Sequence, residues 1–215
     1  MTEEVKKIIY KKNANPQFGI CIDWETSGAS WGKDSSIDHQ GLSFGAVIFN
    51  TSTLEPVKTL YVEIKHDKKY VWSLDAERIH GLSQQYLEEN GSSQEDAAIL
   101  LAELILEYFG AGGKVMVMGH NAEFDISFTN QLMQTIGIEF SKEKKTKADG
   151  WIPLHHVLLD TSAVGFVTMG IFKSDLLFEA VDLEERKEHN ALTDTLYTLE
   201  TARRIRLLVQ TALEG

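Results

Sequence analysis

Residues 18–25 read Phe18-Gly19-Ile20-Cys21-Ile22-Asp23-Trp24-Glu25 and end at the turn signal Ser27-Gly28. This is the first strong strand of the chain. Successive side chains of a strand point to opposite faces. Asp23 and Glu25 therefore share one face, while Ile20, Ile22 and Trp24 point the other way, into a core. Two carboxylates side by side repel each other unless cations neutralise them. In isolation, Asp-x-Glu is a common pattern, and a solvated strand end explains it equally well.

Two distant fragments change that balance. His120-Asn121-Ala122-Glu123-Phe124-Asp125 follows the apolar run 115–118 and leads into a helical pattern. Asp125 lies near the N-terminus of that helix, where a negative charge is favoured on electrostatic grounds alone. Glu123 competes with it as the functional acid of this turn. The third fragment is His189-Asn190-Ala191-Leu192-Thr193-Asp194. Five residues of continuous helix rotate by about 500°, so His189 and Asp194 would diverge by about 140°. They converge only if His189 stands outside the helix and Asn190 is its N-cap. Alone, His189 reads as an exposed loop histidine after the charged run Glu184-Glu185-Arg186-Lys187-Glu188. Together the fragments offer four candidate carboxylates, Asp23, Glu25, Asp194 and either Asp125 or Glu123, with His189 as the candidate base. That inventory suits two divalent cations and a general base, which is what phosphodiester hydrolysis requires.

Composition bounds the rest. A chain of 215 residues with 43% hydrophobic and 25% charged residues is an ordinary globular chain, able to bury a core without staples. The lone cysteine, Cys21, permits no intramolecular disulfide and fits a reducing compartment. Residues 1–7 show no signal-peptide pattern, and no run approaches the roughly 18 apolar residues of a spanning helix. The expected location is the cytoplasm, with no membrane partner. A formal net charge of −11 argues against a broad, charge-driven duplex or membrane binder. It is compatible with a nucleic-acid enzyme whose acidic site is inverted by bound cations.

Residues 1–15 are polar and lysine-rich and read as an arm, and 16–210 read as a single domain. Strands are predicted at 18–25, 42–49 and 57–64, the simplest arrangement being an antiparallel meander. Ser93 and Asp96 resemble a capping box opening a helix over 97–109. A buried strand at 115–118, a helix over 124–136, a polar lysine loop over 141–150 and a strand at 157–160 follow. A turn near 161–167, a helix near 174–180 and a long last helix over 191–209 complete the chain. The pattern predicts an α/β fold with a mixed sheet and helices on both faces. The lysines of the 142–147 loop and the Arg203, Arg204, Arg206 cluster read as solvated faces.

With these fragments set out, the chain resembles the DEDDh exonucleases, the DnaQ-like 3′→5′ exonucleases of the ribonuclease H-like fold. Asp-x-Glu-Thr, His-Asn-Ala-x-Phe-Asp and His-x-Ala-x-x-Asp occur in the family's order. Arg78-Ile79-His80-Gly81-Leu82 and Leu159-Asp160-Thr161 match two secondary signatures. The resemblance implies a ribonuclease H-like, mixed five-stranded sheet flanked by helices. It implies that Asp23, Glu25, Asp125 and Asp194 hold two Mg²⁺ ions, with Mn²⁺ as a substitute, and that His189 is the general base. It also implies that Thr26, Ile79, His80 and Phe124 bind the terminal nucleotide. The substrate would be a single-stranded DNA or RNA 3′ end, and the product a nucleoside 5′-monophosphate. In size and layout the likeness is to ribonuclease T and stand-alone DnaQ-like exonucleases. Ribonuclease T stacks several phenylalanines on terminal bases, however, whereas this chain has Ala29 and Ile79 at two such places. A homodimer, a polymerase-associated proofreading subunit and a non-catalytic nucleic-acid-binding module on the same fold stay open as alternatives.

Overall fold

The computed structural model describes residues 16–31, 33–143, 150–186 and 189–214. The lysine-rich arm and most of the 141–150 lysine loop lie outside the described residues.

The acidic strand, β1 (Phe18–Thr26), is the middle of a five-stranded sheet. On one side it pairs antiparallel with β2 (Gly41–Asn50), which pairs antiparallel with β3 (Pro56–Glu63). On the other side it pairs parallel with β4 (Val117–Gly119), and β4 pairs parallel with β7 (Leu159–Asp160). The order is β3-β2-β1-β4-β7, the mixed sheet expected. The parallel half directs the ends of β4 and β7 towards the same end of the sheet as the Asp23–Glu25 end of β1. A second, two-stranded parallel sheet, β5 (Ile138–Ser141) with β6 (Gly150–Pro153), has no counterpart in the sequence reading.

The alternation of β1 divides the core in two. Ile20, Ile22 and Trp24 join Phe44, Ala46 and Ile48 of β2 on one face. This face is covered by α3 (Gln94–Phe109), through Leu101 and Ile105, and by α4 (Ala122–Gln134), through Phe128 and Leu132. Cys21, Val47, Phe49 and Met118 face the other way and meet Leu199 of α7 (Ala191–Glu214). Full burial of a Phe or Leu side chain contributes about 1.5–3 kcal/mol, so these two layers are the main source of stability.

Local chemistry sets the element ends. Ser93 caps α3, its Oγ accepting the N–H of Asp96 at 3.0 Å. Arg78, Ile79 and His80 form the last turn of α1 (Leu74–His80), and Gly81 ends it at φ 73°. A second short helix, α2 (Gln84–Asn90), follows Ser83. Residues 161–167, read as a turn, belong to a full helix, α5 (Thr161–Met169), followed by α6 (Ser174–Ala180). Among the described residues no helix is long and apolar enough to cross a membrane.

Gly45 pairs with Asp23 across the ladder and lets α7 approach the sheet. A Cβ at Gly45 would stand 2.4 Å from both Ala191 O and Leu192 Cα. Thr195 Oγ1 also donates to Gly45 O at 3.0 Å, so the first turn of α7 rests on β2. Gly45→Ala is therefore expected to destabilise the fold by about 1–3 kcal/mol, because backbone must move to admit the methyl. A thermal melt checks this; an unchanged Tm would mean that α7 does not press on β2 there.

Candidate active site

Four elements bring the acidic and histidine fragments together. β1 carries Asp23 and Glu25 on the face opposite Trp24. The first turn of α4 contains both Glu123 and Asp125, and the structure separates them. Glu123 is exposed and pairs with Lys142 at 3.4 Å, whereas Asp125 is 2% exposed. Trp24 helps to hold that turn: its Nε1 donates to Thr129 Oγ1 at 3.0 Å, and Thr129 Oγ1 donates to Asp125 O at 2.8 Å. Asn121 enters α4 in the left-handed region, at φ 66°. The Asp160 carboxylate stabilises this entry, accepting the N–H groups of Asn121 and Ala122.

The third fragment ends in helix as its spacing requires. Asn190 Oδ1 accepts the N–H groups of Leu192 and Thr193 at 3.1 and 3.2 Å, which makes it the N-cap. His189 stays outside α7, and Asp194 lies in the first turn, buried. His189 Nδ1 is 3.5 Å from Asp194 Oδ2. One ligand atom each from Glu25, His189 and Asp194 lie within 4.8 Å of one another. A cavity of about 210 Å³ is lined by Asp23, Glu25, His120, Arg186, His189 and Asp194, among others. Asp125 does not line it and sits against β1.

A second cavity, of about 260 Å³, shares Glu25 with the first and includes Thr26, Ala29, Ala76, Ile79 and His80 in its wall. Ile79 is largely exposed there. His80 is buried, its Nδ1 accepting the Leu82 N–H at 3.0 Å and its ring edge-on to Trp72. Phe124 is elsewhere. Its ring packs on Phe128 and lines a separate groove of about 520 Å³ with Lys33 and Lys142. The structure thus gathers Thr26, Ile79 and His80 but not Phe124.

Comparison with known proteins bears directly on this arrangement. The family model RNase T, described as Exonuclease, matches residues 20–202. The chain belongs to the RNase T exonuclease family. Ribonuclease T of Vibrio campbellii is 23% identical over 206 residues, spanning 93% of this chain and 90% of that protein. Two solved structures share the fold of this family member. The zinc-bound complex of E. coli exonuclease I with single-stranded DNA matches at TM-score 0.68 and 16% identity, over 90% of this chain and 41% of that one. The nuclease domain of 3′hExo, a DEDDh family member bound to rAMP, matches at TM-score 0.64 and 15% identity, over 92% and 94%. The ribonuclease H-like sheet and the likeness to DEDDh exonucleases implied by the fragments both hold.

The electrostatics of this RNase T family site are those of crowded carboxylates. Burial pushes Asp23 well above the usual carboxylate range, and the charges of Asp125, Asp194 and Glu25 push further. Glu25 is pushed up to about 7 by burial and then by Asp194, with Arg186 opposing. Asp125 is also raised by burial, although backbone N–H bonds at Trp24 and Asp125 itself oppose it. Two buried oxygens, Asp125 Oδ2 and Asp194 Oδ1, have no hydrogen-bond partner among the described residues. Leaving such atoms bare is costly, and a hard divalent cation is the partner that carboxylate oxygens suit best. The residues present therefore fit a divalent metal.

Two site residues escaped the sequence reading. Arg186, read only as a member of the charged run before His189, has a side chain only 9% exposed, with Nη1 2.6 Å from Asp194 Oδ2. His120 lines the cavity of Asp23, Glu25 and His189, with Nδ1 3.0 Å from Thr161 Oγ1.

The raised carboxylates make a linkage prediction. The folded protein holds a proton on Glu25 more tightly than the unfolded chain does, between the ordinary value of 4.5 and about 7. Stability from this group is full at low pH and is lost as pH rises through about 7. Asp23 and Asp125 act in the same direction. In chelator, Tm is expected to fall between about pH 5 and about pH 8, and Mg²⁺ to restore most of the loss at the upper end. Melting curves across that range decide it; a Tm rising with pH in chelator would contradict the reading.

Proposed function

We propose that this chain is a metal-dependent 3′→5′ exonuclease acting on single-stranded DNA or RNA ends and releasing nucleoside 5′-monophosphates. The observation that carries the reading is the convergence of Glu25, His189 and Asp194 within 4.8 Å, with Asp23 in the same cavity. Membership of an exonuclease family supports it. The family match over 20–202 also supports treating 16–210 as one exonuclease domain; its place would be the cytoplasm, where the lone buried Cys21 stays reduced.

Asp23, Glu25, Asp125 and Asp194 would hold the metal, two Mg²⁺ ions with Mn²⁺ able to substitute. When bound, the cations supply positive charge against the charge developing on the phosphodiester. His189 does the proton work. Its Nδ1 faces Asp194 Oδ2, which favours the proton on Nδ1 and leaves Nε2 to accept one from the attacking water. At 42% side-chain exposure the ring is open to water and to substrate.

The cavity beside Glu25 would take the terminal nucleotide. Its Ala29, Ala76 and Ile79 wall is aliphatic, and the Thr26 hydroxyl already donates to Gly28 O at 2.9 Å. Such a wall grips a base face without reading its hydrogen-bonding edge, so base preference at the 3′ end is modest. Phe124 would meet the strand in its own groove, where Lys33 and Lys142 offer charge to phosphates. With a net charge of −11, binding depends on such local contacts.

Asp23→Ala and His189→Ala test the reading on 5′-labelled single-stranded DNA and RNA oligonucleotides. Each is expected to lower turnover by at least about 100-fold with the circular dichroism spectrum unchanged. Asp23→Ala also removes one of the repelling charges, so its Tm in chelator should equal or exceed that of the wild type. Turnover at the wild-type rate in either variant would sink the assignment.

A further inference from the structure

Arg186 has no place in the proposed proton or metal chemistry, yet it is buried in the middle of it. Its guanidinium stands 5.1 Å over the ring of Phe178 and bonds two carboxylates, Asp194 on α7 and Asp175 on α6. Nη1 is 2.6 Å from Asp194 Oδ2, and Nη2 contacts Asp175 Oδ1. Asp175 is itself largely exposed and outside the catalytic cavity. Three parts of the chain therefore meet at one planar group: α6, the segment leading to His189, and the first turn of α7.

The geometry has two consequences. Asp194 Oδ2 is taken by Arg186 and faces His189 Nδ1, while Oδ1 is buried with no partner among the described residues. The rotation of the Asp194 carboxylate is thus fixed, with one oxygen held and the other free. Arg186 also precedes His189 by three residues, so anchoring it limits how far that histidine can move from the site.

We propose that Arg186 is a positioning residue, which orients Asp194 for the metal and holds His189 within reach by bridging Asp175 and Asp194. The proposal rests on the hydrolytic reading above. A guanidinium spans two carboxylates because its two terminal nitrogens lie in a rigid plane; a lysine ammonium is a single point and does not. Arg186→Lys therefore keeps the charge and loses the bridge.

The test compares wild type, Arg186→Lys, Arg186→Gln and Asp175→Asn in three assays. Arg186→Lys is expected to lower kcat by about 10- to 100-fold with KM nearly unchanged, the usual cost of losing a partner that orients a metal ligand. Calorimetry of Mn²⁺ binding without nucleic acid should show affinity about 10-fold weaker in Arg186→Lys. In metal-free protein at fixed pH, the His189 ring resonance should shift or broaden in both Arg186 variants. Asp175→Asn, which leaves the cavity residues in place, should move all three readouts in the same direction by less. It should add little further when combined with Arg186→Gln, since both break one bridge. Wild-type kcat and Mn²⁺ affinity in Arg186→Lys would overturn the proposal; if that variant fails to fold, the same result in Asp175→Asn would do so. If wild-type protein hydrolyses nothing, the hydrolytic reading falls, and the Mn²⁺ and resonance assays still decide whether Arg186 orients the site.

Discussion

Mutual repulsion among four carboxylates is the constraint on which this structure turns. Burial holds Asp23, Glu25 and Asp125 above the usual carboxylate range, and neighbouring carboxylates push further: Asp125 and Asp194 at Asp23, Asp194 at Glu25, and Asp160 at Asp125. No core would gather such groups for stability alone, so the scaffold must hold them against their own field. It does so with close backbone packing, an aromatic hydrogen bond and two charged groups. Gly45 admits the start of α7 to the sheet, and the Trp24 indole reaches Thr129 to hold the turn bearing Asp125. Asp160 caps two helices at once, accepting the Ala122 N–H for α4 and the Ser162 N–H for α5. Within the cavity lining, Arg186 supplies the fixed positive charge that partly offsets the cluster.

Most of the site geometry was legible in the sequence because it follows from periodicity. Period two alone placed Asp23 and Glu25 on one face and Ile20, Ile22 and Trp24 on the other. The five-residue spacing of His189 and Asp194 forced a helix boundary between them, and Asn190 supplied the cap there. The meander β1-β2-β3 was legible for the same reason. The helices α1 and α2 were not, because each spans seven residues and shows no sustained apolar stripe. Pairing of β5 with β6 depends on tertiary placement that no local pattern reports. Arg186 was hidden for a related reason: a buried arginine and a solvated one look alike inside a run of glutamates. Phe124 was named by resemblance alone, and its ring lines a groove with Lys33 and Lys142 rather than the Thr26–Ile79–His80 cavity.

The family likeness and the chemistry reinforce each other without being the same argument. Ribonuclease T of Vibrio campbellii shares 23% identity across 93% of this chain. The family itself rests on the model matched over residues 20–202, and substrate choice must come from the walls of the site. Here those walls are small and aliphatic beside Glu25, with an aromatic ring and two lysines one groove away. A strand would be held by shape and stacking more than by base reading, in a protein whose overall charge opposes nucleic acid.

The central claim is that the carboxylate cluster is a cation site serving hydrolysis from the 3′ end. A time course on matched 5′-labelled single-stranded DNA and RNA oligonucleotides, with Mg²⁺, with Mn²⁺ and with chelator, tests it most directly. The expected result is a ladder shortening from the 3′ end that appears with either metal and vanishes in chelator, the faster ladder naming the preferred sugar. Strands left intact under both metals, or shortened equally in chelator, would contradict it.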